Sequence, residues 1–411
     1  MLLADDHRLG RAARLMLVLS LLLATSAAVA AAPAPAPAKK RPNFVYVLCD
    51  DMNEKLGDEA IIKKTRALLA DQGARASNAF VSSPKCTPSR SAWLSGRFYH
   101  NLRPGQSEGK QVSGKGLNTT HFFDHDAVFP TLKRNGYTTA LFGKIHNNQA
   151  EWLCGRANHT EPWDHIETEC SPCGNYFPKS FVVKSADAKY TSMETILPTD
   201  PRTGYSHAQY GNRSMAFIKE HVKTKGADEP FFVFVGTTGP HLPSTPAPWH
   251  QAIADSMKGP DGNSLTAPRS PNFNQLGVDH FDLLSTHPPL TPALVGDVDH
   301  YMRQRWGVLL SIDDLVAGLH QAVEDAGIMD HTYFLYSSDH GYHLGQFRIP
   351  IEKMLPYETD IRIPLFIKGP GIAAGTKLDL PVMIAVGETV ILLHPPLPLV
   401  GVSIRMERGC Q

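Results

Sequence analysis

The sequence is poor in several things, and each shortage closes off a class of protein. It carries no net charge, 40 basic side chains balancing 40 acidic ones. No basic stripe points to a nucleic-acid partner, and no acidic tail points to a solvated, disordered arm. Cysteine is scarce, 6 in 411 residues, too few to staple a chain of this length as a disulfide scaffold. Cys170 and Cys173 form one Cys-x-x-Cys pair, but no second pair exists to complete a zinc ribbon. With Cys154 they crowd one polar stretch, where a bridge from Cys154 to one of the other two fits an oxidising lumen. No internal repeat is visible. The apolar run Leu15 to Leu23 falls short of the roughly 20 residues that a membrane span needs, so no stable membrane insertion is expected.

That run belongs instead to a leader. Arg8, Arg11 and Arg14 precede it and Ala28-Val29-Ala30 closes it, the basic, apolar and small-residue order of a secretory signal peptide over residues 1–31. The Pro-Ala alternation that follows reads as an extended spacer over 32–40. Three N-glycan sequons begin at Asn118, Asn158 and Asn212 and agree with passage through the secretory pathway.

From Arg41 the pattern is strand, loop, helix, repeated. It predicts an α/β fold with a large mixed central sheet flanked by helices. Short apolar runs at Phe44–Cys49, Thr138–Phe142, Phe231–Val235, Tyr333–Tyr336 and Ile363–Ile367 each end in glycine, charged residues or histidine. Open α/β sheets gather their ligand sites just past such strand ends. Met302, Trp306, Leu309, Val316, Leu319 and Val323 recur at helical steps, with Gly327 as a stop, so they predict one long helix whose stripe is core. The stretches 150–206 and 246–292, rich in Pro, Gly and Asn, read as long surface loops able to shape a pocket.

The stretch Cys86-Thr87-Pro88-Ser89-Arg90 carries the most chemistry. Pro88 suits a first helical turn, so Cys86 sits at a helix N-terminus where backbone N–H groups favour an anion. Arg90, one turn on, can bring a guanidinium to the same spot. On composition alone, a disulfide or a buried inert thiol remains the commoner fate of such a cysteine. Asp50 and Asp51 at one strand end, with Asp339 and His340 at another, make an oxygen-rich cation site if the two ends converge. Helix capping is the alternative for the Asp pair. Lys144 and His146, His241, and Lys353 each follow glycine or proline turns, and any one alone reads as a surface charge or a satisfied loop histidine. Glu358 and Arg362 fit an ion pair across one helical turn, and Cys49 reads as core.

Taken together and in chain order, these segments resemble the formylglycine-dependent sulfatase family of the alkaline phosphatase superfamily. The resemblance runs from Arg41 to about Met383 and implies a catalytic domain over 41–385. It implies that Cys86 is converted to formylglycine by the formylglycine-generating enzyme. The hydrated aldehyde then attacks sulfur with one hydroxyl and expels sulfate with the other. It implies a single calcium ion held by Asp50, Asp51, the Cys86 position, Asp339 and His340, the last in a slot often filled by Asn. It implies further that Lys144 and Lys353 bind sulfate oxygens, that Lys353 or His241 protonates the leaving alcohol, and that His146 is base for the remaining hydroxyl.

Arg305-Trp306, Ser311 to Val316, Gly341 to Phe347 and Pro350 to Lys353 resemble most closely the branch that acts on 6-sulfated N-acetylglucosamine of heparan and keratan sulfate. That implies a sulfated glycan as partner and a lysosomal or extracellular location. A broader arylsulfatase, a phosphate or phosphonate hydrolase of the same superfamily, and an inactive glycan-binding relative are the alternatives. The family continues into a smaller C-terminal domain with an antiparallel sheet. Residues 386–411 do not resemble it, so apolar surface is expected to lie exposed where that domain normally packs.

Overall fold

The computed structural model describes residues 40–102, 121–147, 162–169, 175–184, 192–195, 201–277, 286–379 and 381–383, with the single positions 117, 149, 153 and 284. The leader, nearly all of the spacer, the sequons at Asn118 and Asn158, Cys154, Cys170, Cys173 and the tail 386–411 lie outside the described residues. Among the described residues no helix is long and apolar enough to cross a membrane.

An 11-stranded mixed sheet organises the chain. Its centre is parallel: β1 (Asn43–Asp50) lies between β7 (Phe231–Pro240) and β8 (Thr332–Ser338), and β3 (Thr138–Gly143) pairs with the far side of β7. β9 (Arg362–Lys368) runs antiparallel to β8, and β2 (Ala74–Phe80) antiparallel to β9. Two reversals return β2 to the direction of β1. The short strands β10 (Thr376–Leu378) and β11 (Val382–Met383) pair parallel with β2. Parallel order has one consequence for function: the C-terminal ends of β1, β3, β7 and β8 fall on one edge, and β2 ends there too.

The central strands are buried on both faces, which is why they read as continuous apolar runs rather than alternating ones. On β1, Phe44, Tyr46 and Leu48 enter one core with Trp93, Phe129, Phe232 and Phe234. Val45, Val47 and Cys49 enter the other with Val233, Val235, Leu309, Ile312 and Val316. Helices α1 (Cys86–Ser95) and α2 (Val128–Arg134) cover the first face, and α3 (Ser206–Lys225) and α5 (Pro292–Asp325) the second, α4 (Pro248–Ser256) packing against α5. The expected long helix is α5. Thr291 caps it by accepting from Leu294 N at 3.3 Å, and Pro292 fills the first turn.

Two expectations need correction. The stretch 150–206 is not all loop: β4 (His165–Glu169), β5 (Ser180–Lys184) and β6 (Ser192–Thr195) extend the sheet beyond β3. These strands are short and polar-flanked, so their signal is carried by the neighbours they pair with rather than by composition. The stretch 246–292 contains α4, a short amphipathic helix of about two and a half turns whose proline start disguised it as loop. Cys49 is core as expected, and burial pushes its thiol up to about 12.

Candidate active site

Sequence distance disappears at the sheet's C-terminal edge. Asp50 and Asp51 leave β1, Lys144 leaves β3, His241 leaves β7, Asp339 and His340 leave β8, and Cys86 opens α1 just beyond β2. Lys353 reaches in from the connection between β8 and β9. The approach of β3 to β7 depends on glycine. Gly143 has φ +73° and pairs with Gly236, whose carbonyl accepts Lys144 N at 2.8 Å. A Cβ on Gly236 would run into the Lys144 carbonyl, so any side chain there displaces Lys144.

Cys86 takes the first position of α1, after Lys85 in extended conformation, and is 2 % exposed. Its Sγ lies 3.5 Å from Asp50 Oδ1 and 3.6 Å from Lys353 Nζ, and His241 acts on it electrostatically. Burial and Asp50 both oppose ionisation. Lys144, Lys353 and His241 overcome them and hold the thiol well below its ordinary range. Lys144 Nζ pairs with Asp50 Oδ2, and Lys353 Nζ with Asp51 Oδ1 at 2.7 Å. Against their burial, these cations keep Asp50 well below, and Asp51 below, the usual carboxylate range. His241 is raised despite burial, by Asp50 and Asp51 together with Cys86. Its Nδ1 faces the Leu242 carbonyl at 2.6 Å, an acceptor, so that nitrogen carries a proton. Tyr176 Oη donates to the His241 carbonyl at 2.6 Å and braces this loop.

The donor set, two carboxylates with a sulfur and an imidazole nitrogen, fits a divalent cation. One ligand atom each from Asp50, Asp51, Cys86 and His340 lie within 4.8 Å of one another, all four residues buried. His340 Nδ1 sits 2.9 Å from the Gly341 carbonyl, which can only accept, so in the neutral ring the lone pair is on Nε2. That Nε2 lies 3.4 Å from Asp51 Oδ1 and 3.7 Å from Asp339 Oδ1 without a hydrogen bond to either, and Asp51 Oδ2 is buried without one among the described residues. Buried polar atoms left in this condition are uncommon, and a cation among them satisfies both. Asp339 is committed differently. Its Oδ2 accepts Arg90 Nε at 2.8 Å, and its Oδ1 accepts the backbone N–H of Asp51 at 3.1 Å and of His340 at 2.9 Å.

Two residues are held by more than the site itself. The Arg90 guanidinium stands 3.9 Å from Asp50 Oδ1, at the edge of the site, and bridges the strand ends. It donates to Asp339 Oδ2, to the Lys144 carbonyl at 2.8 Å and to the Cys49 carbonyl at 3.3 Å, so it ties the ends of β8, β3 and β1 together. His146 stacks among Phe122 and Phe123, and its Nε2 hydrogen-bonds Ser91 Oγ at 3.1 Å, one turn into α1 beyond Cys86. Burial, aided by Arg90 and Lys144, pushes it down to about 3. A base that weak favours a supporting part for His146, holding α1. Glu358 and Arg362 do pair across one turn, at 2.8 Å. Sequence reasoning missed Asp58, Tyr176 and Arg305 as supports of the site. Tyr176 gives no local signal; Arg305 and Asp58 are charges facing an otherwise apolar core, which is a signal.

His207, buried on the second face beside Ser311, is also pushed down to about 3 by burial. Its ordinary value is 6.5, so the fold holds it neutral while the unfolded chain takes up a proton. The stability this gives is complete above pH 6.5 and drains as pH falls toward 3, at about 1.4 kcal/mol per pH unit for each such group. Unfolding midpoints measured across that window are expected to fall on acidification, less steeply in His207→Asn. Equal slopes in the two proteins would assign the acid sensitivity to other groups.

The family profile described as Sulfatase matches residues 42–384. N-acetylglucosamine-6-sulfatase from Capra hircus is 32% identical over 362 residues, covering 86% of this chain and 60% of the relative. The Homo sapiens protein of that name is 32% identical over 362 residues, with 86% and 61% covered. The chain thus spans about three fifths of the length of these relatives. A solved structure described as being in complex with its substrate, D-glucosamine-2-N,6-O-disulfate, superposes with TM-score 0.63 at 20% identity, over 86% of this chain and 76% of that one. Fold, strand-end chemistry and a match across nearly all the described residues agree, and the chain belongs to the sulfatase family.

Proposed function

We propose that this chain is a sulfuric ester hydrolase acting on a sulfated glycan, with 6-sulfated N-acetylglucosamine of heparan or keratan sulfate as its preferred unit. The observation that carries the reading is the convergence of Lys144, Lys353 and His241 on one buried cysteine beside Asp50 and Asp51. Such a cluster binds and polarises a compact oxyanion next to a nucleophile. The preference for the 6-sulfate rests on the names of the goat and human relatives and on the ligand of the superposed structure.

In this reading Cys86 matures to formylglycine, by the action of formylglycine-generating enzyme in the secretory pathway, and Sγ stands where the oxygen of the hydrated aldehyde will sit. Asp50, Asp51, the Cys86 position and His340 would hold calcium, with Asp339 behind them offering only the lone pairs its hydrogen bonds leave, and the ion when bound would supply positive charge against the sulfate oxygens. Lys144 and Lys353 exchange part of their pairing with Asp50 and Asp51 for the sulfate. His241, raised by its carboxylate neighbours, hands a proton to the leaving alcohol, with Lys353 as the second candidate. Arg90 keeps the strand ends in register while this happens. The catalytic domain is taken as residues 41–385, behind the leader that delivers the chain to the lysosome or the exterior.

The test is mass spectrometry of the tryptic peptide containing Cys86, from protein secreted by eukaryotic cells. The expected peptide has lost one sulfur and two hydrogens and gained one oxygen. An unmodified thiol in well-secreted protein overturns the formylglycine reading, and the inactive glycan-binding alternative replaces it.

A further inference from the structure

Asp51 is held in a conformation that an aspartate does not choose. Its φ is +74°, in the left-handed region that disfavours side chains other than those of glycine and, less strongly, asparagine and aspartate. Backbone strain of this kind persists only where the surroundings enforce it. Two groups enforce it here. Asp339 Oδ1 accepts the Asp51 N–H at 3.1 Å, and Arg305 Nη2 donates to the Asp51 carbonyl at 2.7 Å. Arg305 comes from the middle of α5, far along the chain, and is 0% exposed.

Arg305 is itself fixed. Its Nη2 pairs with Asp58 at 3.0 Å, and both side chains are completely buried. Asp58 Oδ2 also accepts Asn53 N at 2.9 Å, and Asp58 Oδ1 accepts Trp306 Nε1 at 3.0 Å. The guanidinium lies over the Tyr342 ring at 5.0 Å and near Tyr301 at 6.0 Å. Asp58 thus joins α5 to the turn that follows Asp51, and Arg305 closes the loop on Asp51 itself. Among the described residues, Nε and Nη1 of Arg305 are buried without hydrogen-bond partners. A buried guanidinium so incompletely satisfied is costly, and apolar side chains would fill the same space more favourably. Packing of α5 therefore does not explain it, whereas locking Asp51 does.

We propose that Arg305, anchored by Asp58, is a positioning residue that holds Asp51 in its strained geometry and so sets the site's affinity for its cation. This rests on the reading of Asp51 as a calcium ligand. Groups that orient metal ligands from behind govern metal affinity without touching the ion.

The test uses the full chain, stripped with chelator, with calcium alone as the probe. Calcium affinity is measured by titration calorimetry, and the calcium-free unfolding midpoint is recorded separately to report on packing. Arg305→Met, which fills the space without donors, is expected to weaken calcium binding about tenfold or more. Arg305→Lys, which keeps the charge but loses the planar fork, is expected to fall between the two. An Arg305→Met protein that binds calcium as wild type does, whatever its calcium-free midpoint, overturns the proposal and makes the pair a packing feature. Where Arg305→Met does not fold, the lysine variant decides by itself: an affinity indistinguishable from wild type overturns the proposal. A wild-type chain that binds no calcium removes the cation reading, and this proposal with it, and that outcome is visible before any variant is made.

Discussion

Cys86→Ala is expected to lower kcat by about 10⁴-fold or more, the scale on which losing a covalent nucleophile acts, while leaving the fold intact. The second half of that expectation is as physical as the first. Cys86 is the opening residue of α1, where alanine is tolerated in the helix, and the side chain removed is small. Its loss also takes away a buried thiolate that shares Lys144, Lys353 and His241 with Asp50 and Asp51, so the carboxylates keep their partners. Cys86→Ser is expected to be nearly as damaging, because a serine hydroxyl cannot be oxidised along the cysteine route. Kinetics on an aryl sulfate, with circular dichroism on the same samples, check both parts. Turnover that survives in Cys86→Ala would falsify the formylglycine mechanism outright.

The largest loss of stability is expected at Arg90. Replacing it by leucine leaves Asp339 buried with its Oδ2 partner gone, and frees the Lys144 and Cys49 carbonyls from the guanidinium that now holds them. Breaking one side of a buried ion pair costs roughly 3–5 kcal/mol, a large share of what a domain has to spare. Urea unfolding of Arg90→Leu should show a loss of that size. Arg90→Lys should recover only part, since a lysine ammonium cannot reach three strand ends in one plane. A leucine variant within about 1 kcal/mol of wild type, the usual range for a surface change, would mean that the strand ends hold their register without Arg90.

Arg90 also shows where reading the sequence succeeded and where it stopped. Its position one turn beyond Cys86 is a local fact, and the helix start at Cys86 followed from Pro88. Where the guanidinium points is not local. Lys144 and Lys353, which lie far from it in sequence, pair with Asp50 and Asp51 beside it, while Asp339 holds Arg90 at the strand ends. His146 is a second example. The glycine-turn context of Gly143-Lys144 was legible, but the Phe122 and Phe123 rings that bury His146 belong to a segment with no sequence link to it.

The central strands and α5 were legible because burial on both faces, or on one helical stripe, leaves an apolar pattern within a single segment. The outer strands β4, β5 and β6 left no such pattern, because pairing with neighbours holds them more than their own composition does. Arg305, a charge on the apolar stripe of α5, was a signal, but neither it nor Asp58 names its partner within its own segment, since the two meet only across the fold.

The sequence by itself determined the α/β class, the helix that begins at Cys86, and which side chains carry charge at which strand ends, since backbone preference and apolar period are properties of short segments. Only the tertiary structure decided that those strand ends meet on one edge, that Arg90 ties three of them together, and that Arg305 reaches Asp51. Each of these depends on strand order and on the pairing of buried charges, and such pairing is set by what lies adjacent in space once water has been excluded.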